Sequence, residues 1–427
     1  MSLQPKTPEP EEASKEELYL QTLREASDYL ENGTPLYRQE TPDPHKGKKG
    51  RFLKKNKKPL KKRIVRVLTI TVIVALCMLI VATCTFLILF RIGQNRMLNY
   101  EEFTPQFPQT GESIVPTESQ ATEATEESTV ETTEAEKVLV YEDGKTVSYK
   151  GETYVLNENI TTVLFIGVDK TELEENATRG EGGEADCILL MSMDTETGET
   201  KIVNISREAY SQVDIYSASD KLIESRNTQL CRAYAFGDGG ELSCENTMKS
   251  VKRILYGMPI HSYIAMDMRF VGAATDAVDG IQLTTLSDVK MPDMRIVPAG
   301  TEMELWGREA EFYVRYRDKT LLESNLLRMD RQKQFVELFA KKVLAETKKD
   351  LTTLLDLYSA MTTYMTTDLT LADVTFLMGT FLNHGATFEF TSIKGQLDRL
   401  GGNAIYYLDE THTYETVLDL YYTKVES

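Results

Sequence analysis

One tryptophan, four histidines and five cysteines in 427 residues leave little room for several kinds of chemistry. Cys77 and Cys84 lie in an apolar run, and the other three, Cys187, Cys231 and Cys244, are odd in number and lack metal-ligand spacing. No disulfide framework is implied. A single Cys231–Cys244 bridge and three small buried thiols both stay open, with the thiols as the expectation. His261, His384 and His412 sit in no triad-like context and no Gly-x-Ser-x-Gly elbow occurs, which sets aside serine and cysteine hydrolases. There is also no Asp-x-Asp tripeptide, so an anchored glycosyltransferase with a stem, which the topology alone would allow, lacks its usual metal pair.

Charge is missing altogether between Val67 and Phe90. A helix of about 24 residues rising ~1.5 Å each reaches roughly 36 Å, enough to cross a hydrocarbon layer of about 30 Å. Twelve lysines and arginines crowd residues 46–66, while Arg91 and Arg96 stand nearly alone on the other side. The positive-inside rule therefore puts the N-terminus in the cytoplasm. The basic cluster reads as an anchor touching anionic lipid, not as a nucleic-acid site. Up to Arg91 the chain holds 17 basic against 10 acidic residues, and with −18 overall the remainder carries −25. A chain divided this way straddles a barrier.

Composition suggests the other boundaries. Residues 1–45, rich in Pro and Glu, form a mostly disordered cytoplasmic tail; 46–66 are the basic juxtamembrane segment and 67–90 the transmembrane helix. Residues 91–137, rich in Thr, Ser, Glu and Pro, read as an extracellular stalk holding the C-terminal part of the chain off the bilayer. A hairpin lead-in spans 138–160. From 161 to 348 strands at 162–168, 187–194, 201–206, 262–266 and 281–286 interleave with helices at 242–255, 269–278, 308–313 and 325–348. This predicts an α/β fold, an α-β-α layered domain with a mixed central β-sheet, preceded by a single transmembrane helix. Residues 349–427 read as a C-terminal extension that stabilises the domain, covers a sheet edge or widens a cleft.

Ligands of such sheets gather where strands end. Asp169 closes the first strand, Asp186 opens the second, and Arg207 and Glu208 follow the third. Two carboxylates at neighbouring strand ends suit a hard divalent cation and equally suit turn-forming aspartates. Arg315 and Arg317 share a face if Tyr313–Asp318 is extended, and Arg328 and Arg331, three apart, share one side of a helix. A planar guanidinium grips phosphate oxygens in pairs. Five arginines in an acidic domain thus outline a polyanion pocket, though surface salt bridges would account for them as well.

Six stretches taken in order resemble the LytR-CpsA-Psr family over roughly Thr161 to Lys342: Val-Leu-Phe-Ile-Gly-Val-Asp, Ala-Asp-Cys-Ile-Leu-Leu, Asn-Ile-Ser-Arg-Glu, Leu-Cys-Arg-Ala-Tyr-Ala-Phe-Gly-Asp-Gly, Gly-Arg-Glu-Ala-Glu-Phe-Tyr-Val-Arg-Tyr-Arg and Arg-Met-Asp-Arg-Gln. The resemblance implies an Mg2+-dependent transferase of phosphotransferase type that moves a polyprenyl-pyrophosphate-linked glycopolymer, teichoic-acid-like or capsular, onto a peptidoglycan hydroxyl and releases polyprenyl phosphate. It implies Asp169 and Asp186 as metal ligands and Arg207, Arg315, Arg317, Arg328 and Arg331 on the pyrophosphate. Arg207 and Glu208 would be catalytic, with Asp186 and Glu208 as candidates for taking the proton. An apolar cavity between sheet and helices, with Ile264, Phe270 and Phe335 on plausible elements, would hold the prenyl tail. The chain departs from the family's Arg-Ser-Asp, Pro-Arg-Asp and Lys-Ile-Asn with Glu184-Ala185-Asp186, Ser206-Arg207-Glu208 and Gln229-Leu230-Cys231. The arginine absent at 184 leaves Arg179 or Arg232 as substitutes. It also motivates an alternative, a prenyl-lipid-binding scaffold or attenuator of wall assembly with little turnover.

Overall fold

The run Ile160–Val168 mixes β-branched, aromatic and aliphatic residues at both parities, the pattern of a strand buried on both faces. In the computed structural model it is the strand around which the fold is built. The structure describes residues 60–98, 105–107, 139–140, 145–318, 320, 324–350, 352–385 and 387–425. The tail at 1–45 and most of the basic segment lie outside them. Two units are distinguished, Met1–Val72 and Ile73–Ser427. The described part of the first is the start of helix α1 (Leu60–Met97), and of that helix residues Leu68–Met97 are long and apolar enough to cross a membrane.

The second unit centres on six strands, β1 (Ile160–Val168), β2 (Ala185–Asp194), β3 (Glu199–Asn204), β4 (Ser262–Met266), β5 (Met365–Thr367) and β6 (Thr387–Ser392), in the order β5-β4-β1-β2-β3-β6. Pairings β1/β4 and β3/β6 are parallel and the others antiparallel, so the sheet is mixed. Around it stand α2 (Glu241–Ile254), α3 (Gly307–Arg315), α4 (Ser324–Lys349), α5 (Leu371–His384) and α6 (Glu410–Tyr421). Strand alternation divides the core. Leu164, Ile166, Ile188, Leu190 and Val203 face a cluster closed by α2 and α6. Val163, Phe165, Met191, Met193 and Ile202 face the other way, onto α5, Val336 of α4 and the end of α1. A third cluster joins α3 and α4 to the small strands at 281–305. The α-β-α layering is as predicted.

Two boundaries move. The C-terminal segment is no appendage: β6 completes the sheet edge, and α5 and α6 each cover one face. The stalk does not begin at 91. Helix α1 continues to Met97, which is fully buried, and the Phe90 ring meets Phe376 of α5 edge-on at 5.2 Å. A Cβ on Gly93 would collide with the Ala372 carbonyl, and one on Gly379 with Phe90, so both glycines permit the close approach. Phe107 lies against Tyr256 and Tyr414 in the first cluster. Residues 108–138 lie outside the described residues.

Arg96 on α1 pairs with Asp368 at 3.3 Å and with the fully buried Asp373, which also accepts from the Thr370 N–H and hydroxyl in a capping box. Removing Arg96 leaves a buried carboxylate short of its counter-charge. Arg96→Ala should cost about 2 kcal/mol, between the values for exposed and buried pairs, read from chemical unfolding of the detergent-solubilised chain; unchanged stability would mean that this pair does not brace the junction.

Beyond the sheet, the hairpin Tyr210–Tyr216 with Leu222–Gln229 is anchored to α2 through Asp214, a fully buried carboxylate bonded to Lys249, Arg253 and Ser225 at 2.5–2.8 Å. Burial alone would raise the Asp214 pKa, but these three partners outweigh it and hold the group below its ordinary value. A carboxyl depressed on folding contributes stability that is present above about pH 4 and is lost as pH falls through the folded value. Asp214→Ala should therefore flatten the fall in unfolding free energy below about pH 4 in denaturant titrations; an unaltered slope would exclude Asp214 as its source.

Candidate active site

Antiparallel and parallel pairing bring the C-termini of β1, β3, β4 and β6 and the N-terminus of β2 to one end of the sheet. Asp169, Glu184, Asp186, Arg207 and Glu208 follow or begin those strands and so meet there. The Asp169 N–H donates to the Glu184 carbonyl at 3.1 Å, and the Glu184 N–H returns a bond to Asp169 Oδ1 at 2.7 Å. Gly183, at φ +97°, allows the turn that sets this exchange. Arg207 is held between two carboxylates: Nη2 donates to Glu184 Oε2 at 2.8 Å and Nη1 pairs with Asp186. Its Nε is buried and makes no hydrogen bond.

The arginines of the later elements part company. Arg328 of α4 is half-buried and lies within electrostatic reach of this end of the sheet. Burial lowers its pKa, and of its titratable neighbours Cys187 and Glu208 raise it while Arg317 and Arg207 lower it further. Three guanidinium groups thus share one field, a situation that an arriving anion relieves. Cys187 is pushed up to about 11 by burial, with Arg328 pulling against it, and Cys231 to about 12 by burial and by Glu184. Both are neutral thiols at physiological pH, and all five cysteines are free.

Two expectations require correction. Helix α3 extends to Arg315, so Arg315 and Arg317 do not alternate along a strand. Arg315 instead acts on Glu311, whose pKa burial raises and Arg315 and Arg308 lower. Arg331 is 2% exposed, and its guanidinium donates to the Tyr313 carbonyl at 2.8 Å, the Ser287 hydroxyl at 2.6 Å and the Tyr316 carbonyl. It is a positioning residue that fixes the chain leading to Arg317. Of the substitutes considered for position 184, Arg179 is engaged by Ser217 and Asp220, while Arg232 lies within 3.5 Å of Gln229.

Asp169 and Asp186 are both exposed, at neighbouring strand ends. Among the described residues no three His, Cys, Asp or Glu side chains group as a metal cage. Two carboxylates fit a cation that completes its shell with water and substrate phosphate. Behind the site, on the α5 face, Phe165, Leu189, Ile264, Val336 and Phe390 are half-buried, whereas Phe335 belongs to the third cluster. A recess lined by Asn157, Ser192, Asp194, Lys201 and Asp419 lies at the opposite end of the sheet and is spanned by Lys201 and Asp419 at 2.6 Å.

Arginines grouped with carboxylates at one end of a mixed sheet, beside an apolar face, define an α/β domain with a candidate polyanion site. The chain belongs to the LytR_cpsA_psr family, whose model matches residues 115–420. It is 23% identical over 264 residues to the polyisoprenyl-teichoic acid–peptidoglycan teichoic acid transferase TagU of Bacillus licheniformis, covering 62% of this chain and 78% of that protein. To the transferase TagV of Bacillus subtilis it is 27% identical over 199 residues, 45% of this chain and 46% of the other. A crystal structure of a Streptococcus agalactiae protein shares the fold at a TM-score of 0.51 and 19% identity, over 61% of this chain and 86% of that one.

If Arg331 is a brace and Arg317 a surface group, stability separates them. Arg331→Ala strands two carbonyls and should cost about 3 kcal/mol, whereas Arg317→Ala should stay within about 0.5 kcal/mol. Thermal unfolding decides this, and equal melting temperatures for the two variants would return Arg331 to the ligand-binding group.

Proposed function

We propose that the protein transfers a polyprenyl-pyrophosphate-linked glycopolymer to a peptidoglycan hydroxyl and releases polyprenyl phosphate. The observation that carries this reading is Arg207 paired with Glu184 and Asp186 at the end of the sheet where Asp169 and Glu208 also lie, with the half-buried Arg328 near enough to act on the same field. The transferase names of the relatives give the substrate class. The acceptor oxygen forms a bond to the phosphorus nearer the glycopolymer as the bond to the bridging oxygen breaks, and that oxygen leaves on the prenyl phosphate. Such transfer asks the protein mainly for positioning and charge neutralisation. Arg207, Arg317 and Arg328 supply the charge. Asp186 already pairs with Arg207 and is a candidate metal ligand, so Glu208, half-buried beside the cluster, is assigned the hydroxyl proton. Mg2+ bound by Asp169 and Asp186 would add positive charge at the phosphate oxygens. The half-buried residues of the α5 face would receive the prenyl chain. On this reading the basic segment is cytoplasmic, α1 spans the cell membrane once and touches its lipid, and the domain is extracellular.

A second reading has one observation in its favour. Glu184 holds Arg207 at 2.8 Å, so the donor must compete with an internal carboxylate, as in a lipid-binding scaffold or attenuator of wall assembly with slow turnover. The deciding assay incubates the solubilised chain with a polyprenyl-pyrophosphoryl sugar, Mg2+ and a peptidoglycan oligomer. Transfer is expected, with Arg207→Ala reducing its rate about a hundredfold, as removal of a charge-stabilising donor does elsewhere. Undiminished transfer by Arg207→Ala would sink the assignment, and tight lipid binding without product would favour the scaffold.

A further inference from the structure

Two hairpins project beyond the central sheet at the end that carries Arg207 and Glu208: Tyr210–Tyr216 with Leu222–Gln229, and Gly395–Leu400 with Asn403–Leu408. Each is a two-stranded sheet of its own. Such hairpins are marginal alone, and these brace one another. The Tyr210 and Tyr407 rings meet edge to face with centroids 5.4 Å apart, and Gln229 Nε2 donates to the Ala404 carbonyl at 2.8 Å. The Tyr406 N–H donates to the Glu208 carbonyl at 2.8 Å, tying the second hairpin to the backbone of the residue assigned the proton. Two half-buried tyrosines, Tyr210 and Tyr407, thereby pack together beside the turn at 206–210, while Tyr406, the strand neighbour of Tyr407, points to the other face of its hairpin.

The sheet separates this place from the apolar α5 face. Ala209 and Leu230, at the base of the first hairpin, belong to the opposite cluster, under α2 and α6, and Asp214 fastens the same hairpin to α2. In phosphoryl transfer the entering and leaving oxygens lie roughly in line through phosphorus. With the prenyl phosphate departing toward the α5 face, the acceptor hydroxyl arrives from the side of the hairpins. A glycan offers apolar C–H faces rimmed by hydroxyls. Tyrosine matches both, with a rigid ring and one polar tip, at little cost in side-chain freedom. Arg226 of the first hairpin has Glu224 at 3.8 Å, so a strand exposed over most of its length carries no uncompensated charge from this pair and suits a neutral sugar backbone better than a second polyanion.

We propose that Tyr210 and Tyr407 form the subsite for the acceptor, binding the amino-sugar backbone of peptidoglycan beside Glu208. The assignment of an acceptor rests on the transfer reading; the binding of glycan does not. The solubilised full chain, without donor, is titrated with a peptidoglycan glycan oligosaccharide whose lactyl groups end in primary amides instead of peptides, so that the probe is neutral, and binding is followed by saturation-transfer NMR. Tyr210→Ala and Tyr407→Ala should each weaken binding about tenfold, the loss of one moderate contact, whereas Tyr407→Phe, which keeps the ring, should stay within about twofold. With donor present, the alanine substitutions should raise KM for the oligosaccharide more than they lower kcat. Glycan binding with this pattern but no transfer would support the subsite while sinking the transferase. Transfer with wild-type affinity in both alanine variants would overturn the subsite and leave the transferase standing. No binding by the native chain, or equal loss in Tyr407→Phe and Tyr407→Ala, would also overturn it.

Discussion

Burial of β1 on both faces is the constraint to which the rest of the second unit answers. A strand with apolar side chains at both parities must be covered twice, and one layer of helices cannot do it. Leu164 and Ile166 are met by α2 and α6, Val163 and Phe165 by α5, α4 and the end of α1. The order of strands is a consequence, because β1 takes β4 on one side and β2 on the other. All the loops that leave or enter those strands at one end are thereby drawn together, and the polar cluster forms where the apolar layers stop.

Much of this architecture is legible in the chain. Runs of β-branched and aromatic residues locate β1, β2, β3 and β4 to within about two residues, and helical periodicity does the same for α2 and α4. Legibility fails where the pattern is imitated or absent. Tyr313-Val314-Arg315-Tyr316-Arg317 imitates a strand by alternation, yet its first three residues finish a helix. Leu222–Gln229 is a strand that carries almost no burial, so hydrophobic pattern cannot announce it. The spacing of Arg328 and Arg331 puts both on one side of α4, but only packing shows that Arg331 turns into the Tyr313 and Tyr316 carbonyls while Arg328 comes within the field of Cys187 and Glu208. The reach of α1 past Phe90 depends on two glycines, whose meaning appears only with the partner helix in place.

The polar cluster itself is an electrostatic compromise. Glu184 and Asp186 pair with Arg207, while the half-buried Arg328 feels Arg207 and Arg317 against it and Glu208 in its favour. Replacing an arginine by Glu184 at the strand entrance moves the local balance toward the carboxylates without dismantling the turn, since position 184 contributes to the exchange with Asp169 only a backbone N–H and a carbonyl that any residue but proline would supply. Side-chain charge at that position can therefore change while the fold remains, which separates the tuning of the site from its construction.

The junction of α1 with α5 makes the end of that helix a toothed part of the domain's own packing. A continuous helix rises ~1.5 Å and turns about 100° with every residue. Phe90, Gly93 and Arg96, three residues apart, lie along one side of α1 against α5, so one residue inserted between them would turn the later contacts by about 100° off that side. The seam can therefore absorb a change of side chain more easily than a change of count between Phe90 and Arg96.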